Sequence, residues 1–237
     1  MEFEDKVAYI TGGTKGIGLG IAEALLAKGM RVALSGRNET DAQEVATSLD
    51  KSSERTLGIG SDVTRLDHEE KAIARIMKKW GQVDVVIANA GLGHFAPVDE
   101  IKPDQFKQMI DTNLIGAFHT LKASVEALKS SGGYYMTIAS LAGTNFFAGG
   151  TGYNASKFGV VGFTQAAMLD LRSHGIKVTT IMPGSVSSQF NGNDPNESDA
   201  WKIQPEDIGE LVIDLLKMNP RTLPSKIEVR PTRPDLK

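Results

Sequence analysis

Tyr153 and Lys157 stand four residues apart, so on a helix they share a face and their polar heads can approach each other. A phenol titrates near ~10 in water, too high for ready proton transfer at neutral pH. A fixed ammonium at about 4 Å, in a medium of effective dielectric about 20, is worth roughly 4 kcal/mol to the phenolate. At about 1.36 kcal/mol per unit, the pair predicts a phenol made more acidic by about three units. Ser140 lies thirteen residues before Tyr153, at the end of Tyr134-Tyr135-Met136-Thr137-Ile138-Ala139, which reads as a strand. A hydroxyl at a strand end and a phenol in the first turn of the next helix can converge on one carbonyl oxygen. That set suits proton transfer to an oxygen whose carbon exchanges a hydride with a nicotinamide. A tyrosine and a lysine at this spacing also form ordinary helix-surface pairs, so the decision rests on the elements around them.

The first of those elements opens the chain. Val7-Ala8-Tyr9-Ile10 predicts a buried strand, followed at once by Thr11-Gly12-Gly13-Thr14-Lys15-Gly16-Ile17-Gly18 and a helix from Leu19 to Lys28, closed by Gly29. Strand, glycine-rich turn and helix form the context in which glycines let backbone approach a pyrophosphate, while the helix N-terminus supplies free N–H donors. The alternative is a tight turn that needs glycine only for its backbone angles. A second strand, Arg31 to Ser35, ends where an NAD site carries Asp or Glu for the ribose 2′-hydroxyl. Ser35, Gly36 and Arg37 stand there instead, and Lys15 adds a cation from the glycine loop. Two cations and no carboxylate suit a 2′-phosphate, so NADP(H) is favoured over NAD(H), unless Arg37 is simply a solvated loop residue.

Further along, helices are predicted over Glu39 to Leu49, Leu66 to Trp80, Asp104 to Lys129, Tyr153 to His174 and Pro205 to Met218. Strands are predicted over Thr56 to Gly60, Val83 to Ala88, Lys177 to Met182 and Ile227 to Val229. Asp62, with Val63 after the third strand, can accept from an adenine amino group or serve the start of the next helix. Asn89-Ala90-Gly91 follows the fourth strand, where ligands of such sheets sit. Asn113 falls inside a helix, an unfavourable place unless its amide has a partner. The stretch 189–204 is polar apart from Phe190, Trp201 and Ile203, and suggests a lid over a site. Alternating strands and helices through residues 1–237 predict a single-domain α/β protein of the Rossmann type. Its doubly wound parallel sheet should have about seven strands, with helices on both faces.

Composition narrows the classes. The chain is 41% hydrophobic and 23% charged with a net charge of −3, which argues against a nucleic-acid footprint. It has no cysteine, which excludes a disulfide framework, a thiolate nucleophile and a cysteine-ligated metal. The histidines His68, His94, His119 and His174 show no metal-ligand spacing. A charged start and no long apolar run point to a cytoplasmic protein with no membrane partner.

Taken in order, Thr11-Gly12-x-x-x-Gly16-x-Gly18, Asp62-Val63, Asn89-Ala90-Gly91, Asn113, Ser140, Tyr153-x-x-x-Lys157 and Pro183-Gly184 resemble the short-chain dehydrogenases/reductases, from about Lys6 to Arg230. The resemblance implies that Tyr153 is the general acid in reduction and the base in oxidation. It implies that Lys157 lowers the phenol's pKa and binds the nicotinamide ribose, that Ser140 orients the substrate oxygen, and that Asn113 holds a water leading to solvent. Cofactor contacts are implied for Gly12, Thr14, Gly16, Ile17, Gly18, Asn89, Ala90, Gly91, Pro183, Gly184, Val186 and Ser188. Ala88 stands where the family often has a second asparagine, which should loosen a turn contact, and Ser188 where it often has threonine. Family members usually form homodimers or homotetramers through helices matching Asp104 to Lys129 and Tyr153 to His174.

The residues expected around the substrate are His94, Phe95, Leu141, Phe147, Phe190 and Trp201, with Leu92 and Phe146 nearby. They are mostly apolar and no arginine joins them, which favours a small or medium uncharged ketone or aldehyde, or the matching alcohol. Several of those phenylalanines can equally be core or subunit contacts. A 3-oxoacyl thioester reductase is the competing enzyme, with Lys122, Lys129 and Arg172 as a thin basic patch for a carrier protein. A non-catalytic NADP(H) sensor is the third alternative, and it would be expected to have lost part of the catalytic set.

Overall fold

The computed structural model describes residues 2–233, so Met1 and residues 234–237 of the expected domain lie outside the described residues. Seven strands form one sheet: β1 (Val7–Thr11), β2 (Arg31–Gly36), β3 (Thr56–Gly60), β4 (Val85–Ala88), β5 (Tyr134–Ile138), β6 (Lys177–Pro183) and β7 (Lys226–Val229). Their order is β3-β2-β1-β4-β5-β6-β7 and every pairing is parallel. The chain winds outward from β1 to β3, then returns to lay β4 on the other side of β1. At that reversal the connections diverge and leave a crevice at the carboxyl ends of β1 and β4.

Both faces of the sheet are covered. The helices α1 (Gly16–Ala27), α2 (Glu39–Leu49) and α7 (Pro205–Lys217) bury Ile21, Leu25, Ala42, Ile208 and Val212 on one face. On the other, α3 (Leu66–Trp80), α5 (Gly116–Ser131) and α6 (Thr151–Leu171) bury Ile73, Ile76, Leu121, Leu128 and Ala167. Ala8 and Ile10 of β1 join the first core, Val7 and Tyr9 the second, as alternating side chains of a doubly covered strand must.

The long helix expected over Asp104 to Lys129 is three segments. A short α4 (Pro103–Met109) passes into a π-helical turn, Ile110–Ile115, before α5 begins. The wider turn accompanies a buried amide. Asn113 Nδ2 donates to the Leu92 carbonyl and to Ser156 Oγ at 2.9 Å each, and its Oδ1 accepts from the Leu92 amide at 2.9 Å. These bonds cross between segments far apart in sequence and offset the poorer backbone geometry of the turn. Helix α1 starts at Gly16, inside the glycine-rich stretch and earlier than periodicity suggested. β4 runs from Val85, although the Asp84 backbone already bonds Val7 and Tyr134 on either side, and the Asp84 carboxylate accepts from the Val7 amide and the Lys6 ammonium, each at 2.9 Å.

Candidate active site

Tyr153 is the third residue of α6, and Ser140 lies just past the end of β5, where its Oγ caps a short 3-10 turn by accepting from the Ala142 amide at 3.1 Å. Lys157, one turn further along α6, is buried. Its Nζ donates to the Ile138 carbonyl at 3.0 Å and lies 5.7 Å from the centre of the Tyr153 ring. Strand β5 and helix α6 thus hold serine, phenol and ammonium together, with Asn113 behind them, locked to Leu92 and Ser156.

The electrostatics of this set differ from the expectation of a simply acidified phenol. Burial pushes the Tyr153 phenol up to about 12, opposed by the hydroxyl of Ser140. Burial also pushes the Lys157 ammonium down to about 8. Removing each group from water disfavours its charged form, phenolate and ammonium alike. At neutral pH the phenol therefore holds its proton, which makes it a donor.

From this set a cleft of about 1190 Å3 runs along the carboxyl edge of the sheet. That exceeds the ~300–1000 Å3 typical of drug-sized ligands and leaves room for a dinucleotide beside a substrate. At one end lie Gly12, Thr14, Lys15, Gly16 and Ile17, and along its floor Asn89, Ala90 and Gly91. Asp62, Val63 and Arg37 line the end beyond β2 and β3, and Pro183, Gly184, Val186 and Ser188 the wall after β6. Gly18 backs the glycine turn instead of lining it. A Cβ there would come within 2.4 Å of the Gly12 carbonyl oxygen and 2.5 Å of Asn89 Nδ2. Gly12 has φ +62°, a conformation suited to glycine. The turn after β4 is firmly held despite Ala88. Thr11 Oγ1 accepts from the Asn89 and Ala90 amides at 3.1 Å each, and Asn89 Nδ2 donates to the Thr11 and Gly12 carbonyls at 2.9 Å.

The donor set fits a nicotinamide dinucleotide. No side chain caps the first turn of α1, so its N–H groups are left to bind an anion. Neither Lys15 nor Arg37 forms an ion pair among the described residues. Ser35, at the end of β2, is buried and accepts from the Tyr9 hydroxyl at 3.1 Å. Asp62 uses Oδ1 for the Thr64 amide and hydroxyl, at 3.0 and 2.8 Å, so part of its carboxylate organises the loop before α3.

A sequence profile described as short chain dehydrogenase matches residues 6–199. The chain belongs to the short-chain dehydrogenase family. This dehydrogenase is 33% identical to an uncharacterized oxidoreductase of Staphylococcus saprophyticus over 233 residues, 98% of this chain and 99% of the other. Its fold superposes with a TM-score of 0.91 on an alcohol dehydrogenase from the archaeon Thermococcus sibiricus complexed with 5-hydroxy-NADP. That match has 30% identity and covers 98% of this chain and 100% of the other. A 3-ketoacyl-ACP reductase from Sinorhizobium meliloti superposes with a TM-score of 0.86 at 31% identity, covering 94% and 97% of the two chains. The protein is an NAD(P)-dependent oxidoreductase, and its family acts on small molecules.

At the substrate end of this dehydrogenase, His94 and Phe190 line the cleft, and His94 Nε2 is 2.9 Å from Gln108 Oε1. Phe95 and Phe147 do not line the cleft itself, but Phe95 stands beside Tyr153, with Phe147 against Phe95. Leu141 and Trp201 do not reach the cleft. Leu141 packs against Gly184, and the Trp201 ring lies 5.9 Å from the Lys202 ammonium within its own turn. Phe146 is largely exposed. The 189–204 stretch has its ends pinned to each other, the Ser187 amide donating to the Ile203 carbonyl at 2.9 Å and the Ile203 amide to the Ser185 carbonyl at 3.0 Å. Lys129 and Arg172 lie at the far ends of their helices, next to the starts of β5 and β6. They are at the edge of the sheet opposite the cleft and do not border it. Sequence patterns missed Asn154 and Ser156, whose work is visible only through partners elsewhere in the fold. No helix among the described residues is long and apolar enough to cross a membrane.

Proposed function

We propose that the enzyme is an NADP(H)-dependent reductase of an uncharged ketone or aldehyde, also able to run the reverse oxidation of an alcohol. One observation carries this: a half-buried phenol, flanked by Ser140 and Lys157, at the inner end of a dinucleotide-sized cleft. A bound reduced nicotinamide supplies the hydride to the carbonyl carbon and is oxidised by two electrons. Tyr153 gives its hydroxyl proton to the carbonyl oxygen, which leaves as the alcohol. Ser140 donates to that oxygen and fixes its direction, and the Lys157 ammonium stabilises the phenolate left behind. Lys15 and Arg37, which line the cleft and form no ion pair among the described residues, support a preference for the 2′-phosphorylated cofactor.

The test is a panel of carbonyls and alcohols followed by nicotinamide absorbance with each cofactor. Tyr153→Phe should abolish turnover with cofactor affinity nearly unchanged, and Arg37→Glu should move preference towards NAD(H). Consumption of no carbonyl by a protein that binds NADPH would favour the sensor alternative, and a preference unmoved by Arg37→Glu would remove Arg37 from the account. The likeness to a 3-ketoacyl-ACP reductase favours a thioester substrate as the second possibility. Strong activity on acyl-carrier thioesters with weak activity on simple ketones would establish it. Exposed Ile115 and Phe118 near the start of α5, and Phe158 and Leu169 on α6, support a homodimer or homotetramer built on these helices, to be measured by light scattering. A cytoplasmic location remains part of this proposal and is read by cell fractionation.

A further inference from the structure

Three loops at the carboxyl edge of the sheet each contribute one phenyl ring to a group of which two, Phe95 and Phe190, meet the catalytic tyrosine. Phe95 follows β4, Phe147 follows β5 and Phe190 follows β6. The Phe95 ring meets the Tyr153 ring edge-on, with centroids 5.3 Å apart at 72°, and Phe190 meets it at 5.7 Å and 55°. Phe95 in turn lies 6.5 Å from Phe190 and 5.8 Å from Phe147, again tilted. Such separations and tilts are those at which aromatic rings attract each other beyond simple burial.

The grouping is braced. The Ala96 amide donates to the Gly149 carbonyl at 3.0 Å, tying the Phe95 loop to the Phe147 loop. Asn154, next to Tyr153, donates to the Ala142 and Asn145 carbonyls at 2.7 Å each and accepts from the Phe147 amide at 3.4 Å. The phenyl loop is thereby fastened to the catalytic helix. Gly93 supplies the room, since a Cβ there would lie 2.9 Å from the Cζ atoms of both Phe95 and Phe190. Yet the rings are not core: Phe95 is 42% exposed and Phe147 49% exposed. Phe190 lines the catalytic cleft, and Phe95 and Phe147, held in order beside it, extend it as an exposed apolar surface that a ligand can cover. Of the lysines that line the cleft, Lys107 is paired with Asp111 and Lys157 is buried with its Nζ on the Ile138 carbonyl.

We propose that the substrate is an uncharged carbonyl compound bearing an aryl ring, and that the ring docks among Phe95, Phe147 and Phe190 while its carbonyl meets Tyr153. This rests on the carbonyl reductase function proposed above and names its substrate class. An incoming ring replaces ring–ring contacts with ring–ring contacts, whereas a saturated group of equal bulk keeps the burial and loses the edge-to-face attraction. Each aromatic pair is worth a factor of about 2 to 12 in affinity.

The discriminating pair is 4-phenyl-2-butanone against 4-cyclohexyl-2-butanone, alike in length and in an unconjugated carbonyl. The phenyl compound should show a kcat/KM higher by about tenfold or more. Phe95→Leu and Phe190→Leu should each cut that ratio by a factor of about 2 to 12, and Phe95→Tyr should restore it. Calorimetric binding of both ketones to Tyr153→Phe, saturated with NADP+, should give the same order of affinities without any turnover. Equal values for the two ketones, or a ratio that neither leucine variant moves, overturns the proposal. Failure to consume any carbonyl would instead strike the reductase function, and the calorimetric ratio would still decide the docking. A preference for long acyl thioesters over both ketones overturns the aryl substrate and favours the carrier-protein alternative.

Discussion

Replacing Lys157 by methionine separates what the ammonium does from what burial does. At 5.7 Å from the ring centre, with an effective dielectric of about 20, the ammonium is worth about 3 kcal/mol to a phenolate. That equals about two pKa units, or about a hundredfold in phenolate population at a fixed pH. Burial opposes it, raising the phenol to about 12 and lowering the ammonium to about 8. Lys157 therefore sheds its proton first, and its help to the phenolate fades as pH rises past about 8. Alcohol oxidation uses the phenolate as base. Lys157→Met should thus slow oxidation by about a hundredfold near pH 7, and the deficit should shrink towards a few-fold near pH 10. Initial rates across that range, at saturating NADP+ and alcohol, give the ratio of wild type to variant. Methionine also leaves the Ile138 carbonyl without its 3.0 Å donor, at about 1–3 kcal/mol of stability, so melting is measured alongside and rates are taken well below it. A deficit of the same size at every pH would refute the reasoning, because the lysine would then act by shape or cofactor contact and not by charge.

Three further outcomes are expected. Glu69 is buried, receives hydroxyls from Tyr9, Ser61 and Thr120, and has its pKa raised chiefly by desolvation. Because its folded pKa lies above the unfolded one, the stability it contributes is complete below the unfolded value and lost as pH rises through the folded value. The melting temperature of Glu69→Gln minus that of wild type should therefore grow more positive from about pH 4 to about pH 7, and a flat or falling difference would contradict this. Gly18→Ala places a methyl 2.4 Å from the Gly12 carbonyl oxygen, so the variant should lose about 1–3 kcal/mol and bind cofactor more weakly by calorimetry. Wild-type melting and binding would show a looser turn. Asn113→Ala removes three 2.9 Å hydrogen bonds of about 1 kcal/mol each, for a total near ~3 kcal/mol in urea unfolding, and a loss under ~1 kcal/mol would mean that the π turn does not depend on that amide.

The sequence by itself determined the alternation of strands and helices, the glycine-rich turn before the first helix, and the pairing of Tyr153 with Lys157. Each is a local pattern, set by the period of a strand or helix or by neighbours one turn apart, and such patterns survive whatever packs around them. Only the tertiary structure decided that Asn113 sits in a π turn, since the partners that hold it, Leu92 and Ser156, are distant in the chain. It also decided the direction of the Tyr153 shift, because helix spacing specifies a distance between charges while the surrounding fold sets how much water each loses. Phe95 and Phe190 gathered at the phenol, with Phe147 behind Phe95, while Trp201 stayed away, through loop paths that no periodicity describes. Lys129 and Arg172 went to the opposite edge because helices following parallel strands must run back to where the next strand begins.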